Sequence, residues 1–400
     1  MRVVLSTWGR FHFFHLARQL HRRRWLETIF TTYPRFKLRD EKLPLELIQS
    51  DGLLETFLLG KARFGLSAPW LDPQLERLKQ ALHDRFMLRR MPACDLFIAL
   101  SGSGAVVGQS VQERGGRYIC DRGSTHVAYG DDLMADEFRR WNLPFRRTHP
   151  AFIERECVEY DIADRIVVPS SVARRSYIER GVPAAKLEVI GFGAELSRFK
   201  RLADPPQDEF VVLFVGAIKF RKGVPYLLEA FRRLRHPKKR LMLVGSVTDE
   251  IRGYLRTAPL DRVELTGIVP NTQLAELMSR SHVMVLPSLE EGMALVQAEA
   301  MACGCPVIAT TNTGAEDLFT DGTEGFIVPI RDPDAIADRL QQIADDPSLR
   351  ERLSAAAMAR IHGMGGWNDY GDRYAALCQA LMDEKAIASP PTRADSQPAA

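Results

Sequence analysis

The segment HVMVLPSLEEGMALVQAEAMACGCPVIAT, residues 282–310, decides the fold class of this chain of 400 residues. Its pattern predicts a β-strand at 282–288, a helix from about Met293 and a second strand at 306–310. Both strand candidates are apolar at successive positions, which is typical of strands buried on both faces of a parallel sheet. A strand, a helix and a strand in this order predict a right-handed crossover of an α/β fold.

The same alternation runs along the whole chain, with helical patterns such as 224–234 and 271–280 between the strands. Two series of strands, one in each half, predict an α/β protein with two Rossmann-like domains whose parallel sheets face each other across a cleft. The other strand candidates are at 2–6, 95–100, 117–121, 165–170, 187–193, 210–216, 240–245 and 262–267.

Changes in composition predict the domain boundaries. Pro205 and Pro206 interrupt the alternation and suggest a linker. The apolar segment 53–69 fits no Rossmann unit, so we expect it to cover the cleft, to touch a membrane or to be an ordinary core helix. The predicted segments are an amino-terminal domain at 1–197, a linker at 198–209, a carboxy-terminal domain at 210–364, a helix at 365–385 and a disordered tail at 386–400.

The composition is that of a soluble globular protein, with 46% hydrophobic and 26% charged residues. No apolar run reaches the roughly 18 residues of a membrane helix, and the amino terminus is a poor secretory signal. Six irregularly spaced cysteines predict no disulfide framework, which favours a reduced, cytoplasmic protein. Cys303 and Cys305 have no second Cys or His pair nearby, so we expect no metal site.

The two halves of the chain differ in charge. Residues 1–200 carry 32 basic and 24 acidic side chains, whereas residues 201–400 carry 22 and 27. This asymmetry suggests a different partner for each half. No zinc-finger, RNA-recognition or helix-turn-helix signature is present, so we expect no nucleic-acid partner. An anionic membrane surface or a phosphate-bearing acceptor explains the basic half at least as well.

Two carboxylates lie on either side of the predicted start of the helix in 282–310. Glu291 and Glu299 are eight positions apart, which corresponds to about 12 Å along a continuous helix. The backbone amides of 292–295 would be free N–H groups at the positive end of the helix dipole, where a phosphate can bind. A nucleotide-sugar places two sugars on either side of a diphosphate at a comparable separation. The alternative is a surface helix that happens to carry two glutamates.

A basic loop follows the first strand of the second series. In VGAIKFRKGVPYLLEAF, residues 215–231, the side chains of Lys219, Arg221 and Lys222 precede a helix. Such βα loops face the crevice at the carboxyl ends of parallel strands, where arginine and lysine bind phosphates. The segment contains neither GxxxxGKS/T nor GxGxxG, so it predicts neither an ATPase nor a dinucleotide site. A solvated basic turn is the alternative.

Two loops in the first half carry further candidates. In ICDRGSTHVAYG, residues 119–130, Arg122 and His126 follow a strand, and an imidazole there can exchange a hydrogen bond with a sugar hydroxyl or a leaving group. The alternative for His126 is a structural or solvated loop histidine. Gly9 and Arg10 occupy the corresponding loop after the first strand.

These motifs, in this order, resemble glycosyltransferase family 4, the bacterial-type group 1 glycosyltransferases, which are retaining enzymes with the GT-B fold. Residues 282–330 resemble the donor-binding signature of that family, and 214–231 resemble its diphosphate loop. The resemblance extends to 163–183 and 187–199, at the end of the amino-terminal domain. The helix at 366–382 is similar to the family's helix that crosses back to that domain.

The resemblance implies roles for individual residues. Glu291 would hold hydroxyls of the transferred sugar, Glu299 would bind the ribose, and Lys222 would neutralise the leaving diphosphate. Ile268 would lie beside the base, and His126 would face the reacting centre. The implied donor-binding set is Gly216, Lys219, Arg221, Lys222, Ile268, Glu291, Gly292, Met293, Ala294, Leu295 and Glu299, the catalytic set is His126, Arg221, Lys222 and Glu291, and the acceptor side is Gly9, Arg10 and Arg122.

The chain departs from the family pattern in two places. The family often has an arginine directly after the glycine of the diphosphate loop, and here Ala217 stands at that position. We expect Arg221 to replace it. The phenylalanine and glycine that usually follow the first glutamate motif are Met293 and Ala294 here, which predicts a sugar pocket of different shape.

The resemblance implies metal-independent transfer of a hexosyl group, with retention, from a nucleotide-sugar to a glycan, lipid-linked or small-molecule acceptor in polysaccharide or glycoconjugate synthesis. We expect no cofactor. The basic segments HRRRW at 21–25 and MLRR at 87–90 favour a cytoplasmic protein that is peripheral on the inner face of the membrane. Two alternatives remain, namely a nucleotide-sugar epimerase on the same fold and a non-catalytic accessory protein that binds nucleotide-sugar.

Overall fold

A computed structural model describes residues 1–52 and 72–388 of the chain. The segment 53–69, for which the sequence predicts a cleft cover, a membrane contact or a core helix, lies outside the described residues. The same holds for 389–400, which form most of the predicted tail.

The first sheet has seven strands in the order β3-β2-β1-β4-β5-β6-β7. Strand β1 pairs in parallel with β2 on one side and with β4 on the other, so the strand order reverses between β1 and β4. In open α/β sheets, ligands bind at the carboxyl ends of the strands beside such a reversal. The strands are β1 (Val3–Thr7), β2 (Leu26–Thr31), β3 (Ile48–Ser50), β4 (Leu96–Leu100), β5 (Arg117–Asp121), β6 (Arg165–Val168) and β7 (Leu187–Val189).

The second sheet has six strands in the order β10-β9-β8-β11-β12-β13. Its pairings are parallel, and the order reverses between β8 and β11, which are neighbours in the sheet. The strands are β8 (Phe210–Val215), β9 (Lys239–Val244), β10 (Val263–Gly267), β11 (Val283–Leu286), β12 (Val307–Thr310) and β13 (Gly325–Val328).

Helices connect the strands, as the alternating pattern predicts. Short 3-10 helices occur as well, and the one at Phe220–Lys222 belongs to the loop after β8. The α-helices are α1 (Phe13–Arg22), α2 (Asp72–Arg90), α3 (Ala105–Glu113), α4 (Val127–Arg140), α5 (Pro150–Ile162), α6 (Ser171–Ile178), α7 (Val224–Arg233), α8 (Asp249–Leu255), α9 (Asn271–Ser279), α10 (Val296–Ala302), α11 (Pro333–Asp345), α12 (Pro347–His362) and α13 (Trp367–Ala388).

Backbone contacts divide the chain into two compact units. The first comprises Met1–Cys120, Ile162–Asp164 and the residues from Asn368 onward, and the second comprises Asp121–Asp161 and Arg165–Trp367. Helix α13 thus belongs to the first unit almost entirely. There, the Gln19 side-chain amide donates to Asn368 Oδ1 at 2.9 Å. The boundaries of the five segments predicted from the sequence stay predictions.

The second unit has one hydrophobic core around its sheet. Every residue of β11 and β12 is buried, and so are five of the six residues of β8. Burial on both faces removes the polar alternation that a half-exposed strand would show. The successive apolar residues at 282–288 and 306–310 therefore reflect a central position in the sheet.

The predicted fold class is confirmed, and each strand candidate contains a strand. Strands β2, β3 and β13 were not predicted. Strand β3 has three residues and β13 has four, and the six residues LETIFT of β2 mix polar with apolar positions. A mixed pattern such as that of β2 gives little periodicity, so its place in the sheet depends on the neighbouring strand.

The helix after β11 begins at Val296 and not near Met293. The preceding residues form a loop that is hydrogen-bonded to the segment after β12, with the Glu291 amide donating to the Asn312 carbonyl at 3.0 Å and the Ala294 amide donating to the Thr313 carbonyl at 3.2 Å. These bonds compete with helical bonds at the same positions. The helical propensity of MALV is therefore overridden by tertiary contacts.

Candidate active site

The loop after β8 has a conformation that requires glycine at its end. Gly223 has φ +67°, and a Cβ atom at this position would lie 1.8 Å from the carbonyl oxygen of Pro287. Any other residue would therefore clash with the chain that follows β11 and would also strain the backbone. This close approach brings the basic loop 219–222 against the segment that carries the consecutive glutamates.

Two predicted cations meet the first predicted carboxylate. Lys222 Nζ forms an ion pair with Glu291 Oε1. Arg221 Nη1 lies 3.8 Å from Glu291 Oε2. All three side chains are largely withdrawn from solvent, so their charges interact more strongly than at an exposed surface. The structure thus brings together Arg221, Lys222 and Glu291, three members of the predicted donor-binding set.

Lys219 is a third cation in the same loop. Burial, followed by the charges of Arg221 and Lys222, lowers the pKa of the Lys219 ammonium. Among the described residues, no carboxylate forms an ion pair with Lys219. An anionic ligand at this position would relieve the repulsion among the three cations, because an opposite charge favours their protonated forms.

Glu290 is a residue that sequence reasoning missed. Its side chain is buried, and Oε2 accepts a hydrogen bond from Arg221 Nη1 at 2.8 Å. Its Oε1 accepts from Ser124 Oγ at 2.7 Å and from Thr125 Oγ1 at 2.8 Å. Burial alone would raise the pKa of Glu290, but the Arg221 charge and these hydrogen bonds lower it. The only signal was the pair of adjacent glutamates, which does not show which of the two would pair with Arg221, and both are buried.

The second predicted carboxylate lies on α10. Glu299 is half-buried, and burial raises the pKa of its carboxyl group. In the part of the chain that the structure describes, its side chain has neither a hydrogen bond nor an ion pair. Helix α10 has seven residues and Glu291 precedes it, so the estimate of about 12 Å along a continuous helix is wrong. A half-buried carboxylate without a protein partner suits a ligand hydroxyl.

The backbone between the two glutamates is only partly available to a ligand. The Ala294 amide is used by the Thr313 carbonyl, so the prediction of a free N–H group at Ala294 is corrected. Gly292 lies against another loop, where a Cβ atom would be 2.1 Å from the Gly123 carbonyl oxygen, and its own carbonyl accepts from Ser170 Oγ at 2.5 Å. Met293 and Leu295 lie in the same loop. Their predicted contact with a donor stays a prediction.

His126 is placed in an aromatic environment. Its ring is buried against Tyr160 and Tyr177, with ring centroids 5.0 Å and 5.2 Å away. Nδ1 accepts a hydrogen bond from the Ala128 amide at 3.2 Å, which caps helix α4. The other nitrogen, Nε2, therefore carries the proton in the neutral ring. Burial, followed by the charges of Arg180 and Arg122, lowers the pKa of His126 to about 4. The neutral ring can donate a hydrogen bond but is a weak base at neutral pH.

Arg122 has a carboxylate partner in its own unit. Its Nη1 lies 2.5 Å from Glu156 Oε2, which also accepts from the Tyr160 hydroxyl at 2.8 Å. Burial would lower the pKa of Arg122, but Glu156 together with Tyr160, Tyr177 and Glu290 raises it. The guanidinium is therefore charged and already paired. Its predicted role on the acceptor side stays a prediction.

The remaining predicted residues lie at loop positions after strands. In the first unit, Arg10 Nε lies 2.5 Å from Glu41 Oε1, and Gly9 is buried beside Phe11. In the second unit, Gly216 directly follows β8, and Ile268 follows β10 with 80% of its surface exposed. An exposed isoleucine at the carboxyl end of a strand is compatible with an apolar contact to a base.

His126 should make the protein less stable in mild acid. The unfolded chain protonates this imidazole near pH 6.5, whereas the folded protein does so only near pH 4. Between these values the unfolded state binds more protons than the folded state. The free energy of unfolding therefore decreases as the pH is lowered, by at most about 1.4 kcal/mol per pH unit. His126→Asn keeps an acceptor for the Ala128 amide but cannot titrate. Urea unfolding at pH 7.5 and pH 5 should therefore show a smaller difference for this variant.

His282 provides a matched variant. It is also largely buried, and burial lowers its pKa to about 4. His282→Asn should remove a similar share of the pH dependence, and the double variant should remove both shares. An unchanged pH dependence in His126→Asn, with a reduced one in His282→Asn, would contradict the buried neutral state of His126.

Comparisons with known proteins show which proteins this chain is similar to. Residues 195–360 match the family model described as glycosyl transferases group 1. The chain is 31% identical over 239 residues to the D-inositol 3-phosphate glycosyltransferase of Kribbella flavida, covering 54% of this chain and 56% of that protein. It is 27% identical over 367 residues to the alpha-D-kanosaminyltransferase of Streptomyces kanamyceticus, covering 87% and 90%. The chain thus spans little more than half the length of the first of these relatives.

Solved structures show the same fold. The sucrose-phosphate synthase of Thermosynechococcus elongatus aligns with a TM-score of 0.67 at 23% identity, covering 96% of this chain and 100% of that chain. Anabaena Alr3699/HepE, solved in complex with UDP, aligns with a TM-score of 0.67 at 17% identity, covering 95% and 100%. These likenesses and the two parallel sheets establish the GT-B fold. Together with the match of residues 195–360, they support a group 1 glycosyltransferase.

Proposed function

We propose that this protein is a family 4 glycosyltransferase that moves a hexosyl group, with retention and without a metal ion, from a nucleotide-sugar to an acceptor. The acceptor is a glycan, a lipid-linked sugar or a small molecule, and the product belongs to polysaccharide or glycoconjugate synthesis. The observation that carries this proposal is the cluster of Lys219, Arg221 and Lys222 beside Glu291, within the residues that match the group 1 family.

The ion pair between Lys222 and Glu291 suggests how the donor binds. A diphosphate carries more negative charge than one carboxylate, so it competes for the Lys222 ammonium. Release of Lys222 frees the Glu291 carboxylate to accept hydrogen bonds from hydroxyls of the sugar. The same exchange places the Lys222 ammonium beside the diphosphate, which is the leaving group of the reaction. Fixed cations at a developing charge are among the largest contributions to catalysis.

Metal independence rests on the same cations. The charge of a leaving diphosphate must be neutralised in the transition state, and a bound Mg²⁺ does this in many phosphate-transferring enzymes. Here Lys219, Arg221 and Lys222 lie within four positions of one loop, around its short 3-10 helix, and supply positive charge from the protein itself. His126, held neutral, would donate from Nε2 to a hydroxyl of the sugar or of the acceptor.

The name of one relative suggests an acceptor with free hydroxyls. That relative is named for D-inositol 3-phosphate, which is a phosphorylated polyol. A phosphate on the acceptor would also agree with the excess of basic residues in 1–200. We therefore propose acceptors that carry a phosphate as the first class to assay.

Calorimetric titration of the purified chain with UDP, GDP, ADP and dTDP, without metal, tests the donor site. We expect one nucleotide to bind, and Glu299→Ala to weaken it by about tenfold or more, because the variant removes a charged hydrogen-bond acceptor for the ribose. Glu276→Ala, which alters an exposed carboxylate paired with Arg280, is the control. Failure of all four nucleotides to bind would contradict the donor site.

Turnover of the donor tests the role of the cations. Lys222→Ala should lower kcat by about 10²–10³, because it removes one fixed charge from the leaving group. Lys238→Ala removes an exposed lysine that is 3.6 Å from Asp208, and it should leave kcat unchanged. The assay measures nucleoside diphosphate release with and without acceptor, which also separates transfer from epimerisation of the donor. Near-normal kcat in a folded Lys222→Ala protein would contradict this role.

We also propose peripheral attachment to an anionic membrane, but through a surface different from HRRRW. Arg22 donates to Asn368 Oδ1 at 2.8 Å and Arg23 pairs with Asp372, so part of that segment holds helix α13. Within residues 1–52 and 72–388, no helix has the length and apolarity needed to cross a membrane.

The better candidate is the surface that carries Phe11 and Phe36. Each has 63% of its surface exposed, which is unusual for a phenylalanine. The Arg10–Glu41 ion pair joins the segments on which they lie. Exposed cations accompany the two rings, and aromatic rings among basic side chains suit the interface of an anionic bilayer. These cations are Arg10, Arg35, Lys37, Arg39 and Lys42.

Flotation with vesicles tests this attachment. The protein should float with vesicles that contain phosphatidylglycerol, should not float with neutral phosphatidylcholine, and should be released by about 0.5 M salt, which screens charges beyond a few ångström. Phe11→Ser with Phe36→Ser should weaken binding about tenfold. Leu202→Ser, at a leucine that is 52% exposed in the second unit, is the control. Equal binding by the double variant would refute this surface.

A further inference from the structure

Arg221 is held by one of its terminal nitrogens only. Nη1 donates to the Glu290 carbonyl at 2.9 Å and to Glu290 Oε2 at 2.8 Å. Among the residues that the structure describes, Nε and Nη2 have no hydrogen-bond partner. The Arg221 side chain is 30% exposed, so it is not closed off from solvent. A planar guanidinium held at one nitrogen presents its other edge in a fixed direction.

Glu290 is itself fixed by a third segment of the second unit. Its other oxygen, Oε1, accepts from the hydroxyls of Ser124 and Thr125, at 2.7 Å and 2.8 Å. Both hydroxyls lie in the loop that leads to His126. With both carboxylate oxygens engaged and the side chain buried, Glu290 cannot rotate without breaking several hydrogen bonds. Arg221 is therefore oriented by a rigid acceptor and not by a mobile surface carboxylate.

The loop has no arginine directly after Gly216. Ala217 stands where the family often has arginine, and its methyl group cannot contact an anion through charge. Lys219 and Lys222 remain, but an ammonium is a point charge that cannot bind two phosphate oxygens side by side. Arg221 is the one guanidinium in the loop from 216 to 223.

We propose that Glu290 is a positioning residue that orients Arg221 so that its Nε and Nη2 groups bind the donor diphosphate in place of the arginine absent at position 217. This inference rests on the proposed function. Because the Glu290 carboxylate opposes the charge of Arg221, its contribution is orientation and not added positive charge. Loss of Glu290 should therefore lower kcat more than it raises KM, since orientation matters most when charge develops on the leaving group.

A rescue experiment separates this role from a general role in folding. Glu290→Ala should lower kcat by about 10–10². Adding Ala217→Arg to it supplies a guanidinium at the family position that does not depend on Glu290, so kcat should return to within about threefold of the original. A structural role for Glu290 predicts no rescue, because Ala217→Arg replaces none of the hydrogen bonds to Ser124 and Thr125.

A conservative variant and the binding of pyrophosphate provide two further measurements. Glu290→Gln preserves the shape of the side chain, so it is used if Glu290→Ala fails to fold, and about a three- to tenfold loss of kcat is expected. Inorganic pyrophosphate, titrated by calorimetry, should bind the original protein and the rescued double variant more tightly than Glu290→Ala. This readout needs neither the donor nor the acceptor.

The outcomes distinguish this inference from the proposed function. A protein that transfers no sugar, but whose pyrophosphate affinity falls in Glu290→Ala and recovers with Ala217→Arg, would overturn the proposed reaction and support the role of Glu290. Normal kcat in Glu290→Ala, or a double variant as slow as Glu290→Ala while Ala217→Arg alone is active, would overturn the role of Glu290. Equal pyrophosphate affinity in the original protein and Glu290→Ala would overturn it as well.

Discussion

The ion pair between Arg221 and Glu290 is the interaction on which the candidate site depends. It joins the loop after β8 to the loop after β11, and through Ser124 and Thr125 it joins both to the segment that precedes α4. A buried carboxylate is stable only when it is paired and hydrogen-bonded, and here each partner comes from a different part of the chain. The other contacts of the site, including that of Lys222 with Glu291, form within this frame.

The charges of the site favour an anionic ligand over bulk water. Lys219, Arg221 and Lys222 face two carboxylates, and Glu290 is already satisfied by hydrogen bonds from hydroxyl groups. The pKa of Lys219, lowered by burial and by its cationic neighbours, reflects this excess of positive charge. His126 adds a hydrogen-bond donor that stays neutral. The arrangement thus provides fixed donors and cations in place of a titrating acid and base.

Two glycines allow the loops of the site to approach each other closely. Gly223 allows the loop after β8 to touch Pro287, and Gly292 allows the loop after β11 to touch Gly123. A side chain at either position would push apart segments that must lie together for the ion pairs to form. Both glycines are therefore required by tertiary approach, and in Gly223 the positive φ adds a second reason.

The sequence by itself determined the fold class, the position of the central strands and the residues of the basic loop, because successive apolar positions and turn residues report local backbone structure directly. Only the tertiary structure decided that Glu290 is the carboxylate that joins Arg221 to the hydroxyls of Ser124 and Thr125, that α10 begins at Val296, and that Arg22 and Arg23 hold helix α13. These features depend on which distant segments meet, and a local pattern carries no information about that.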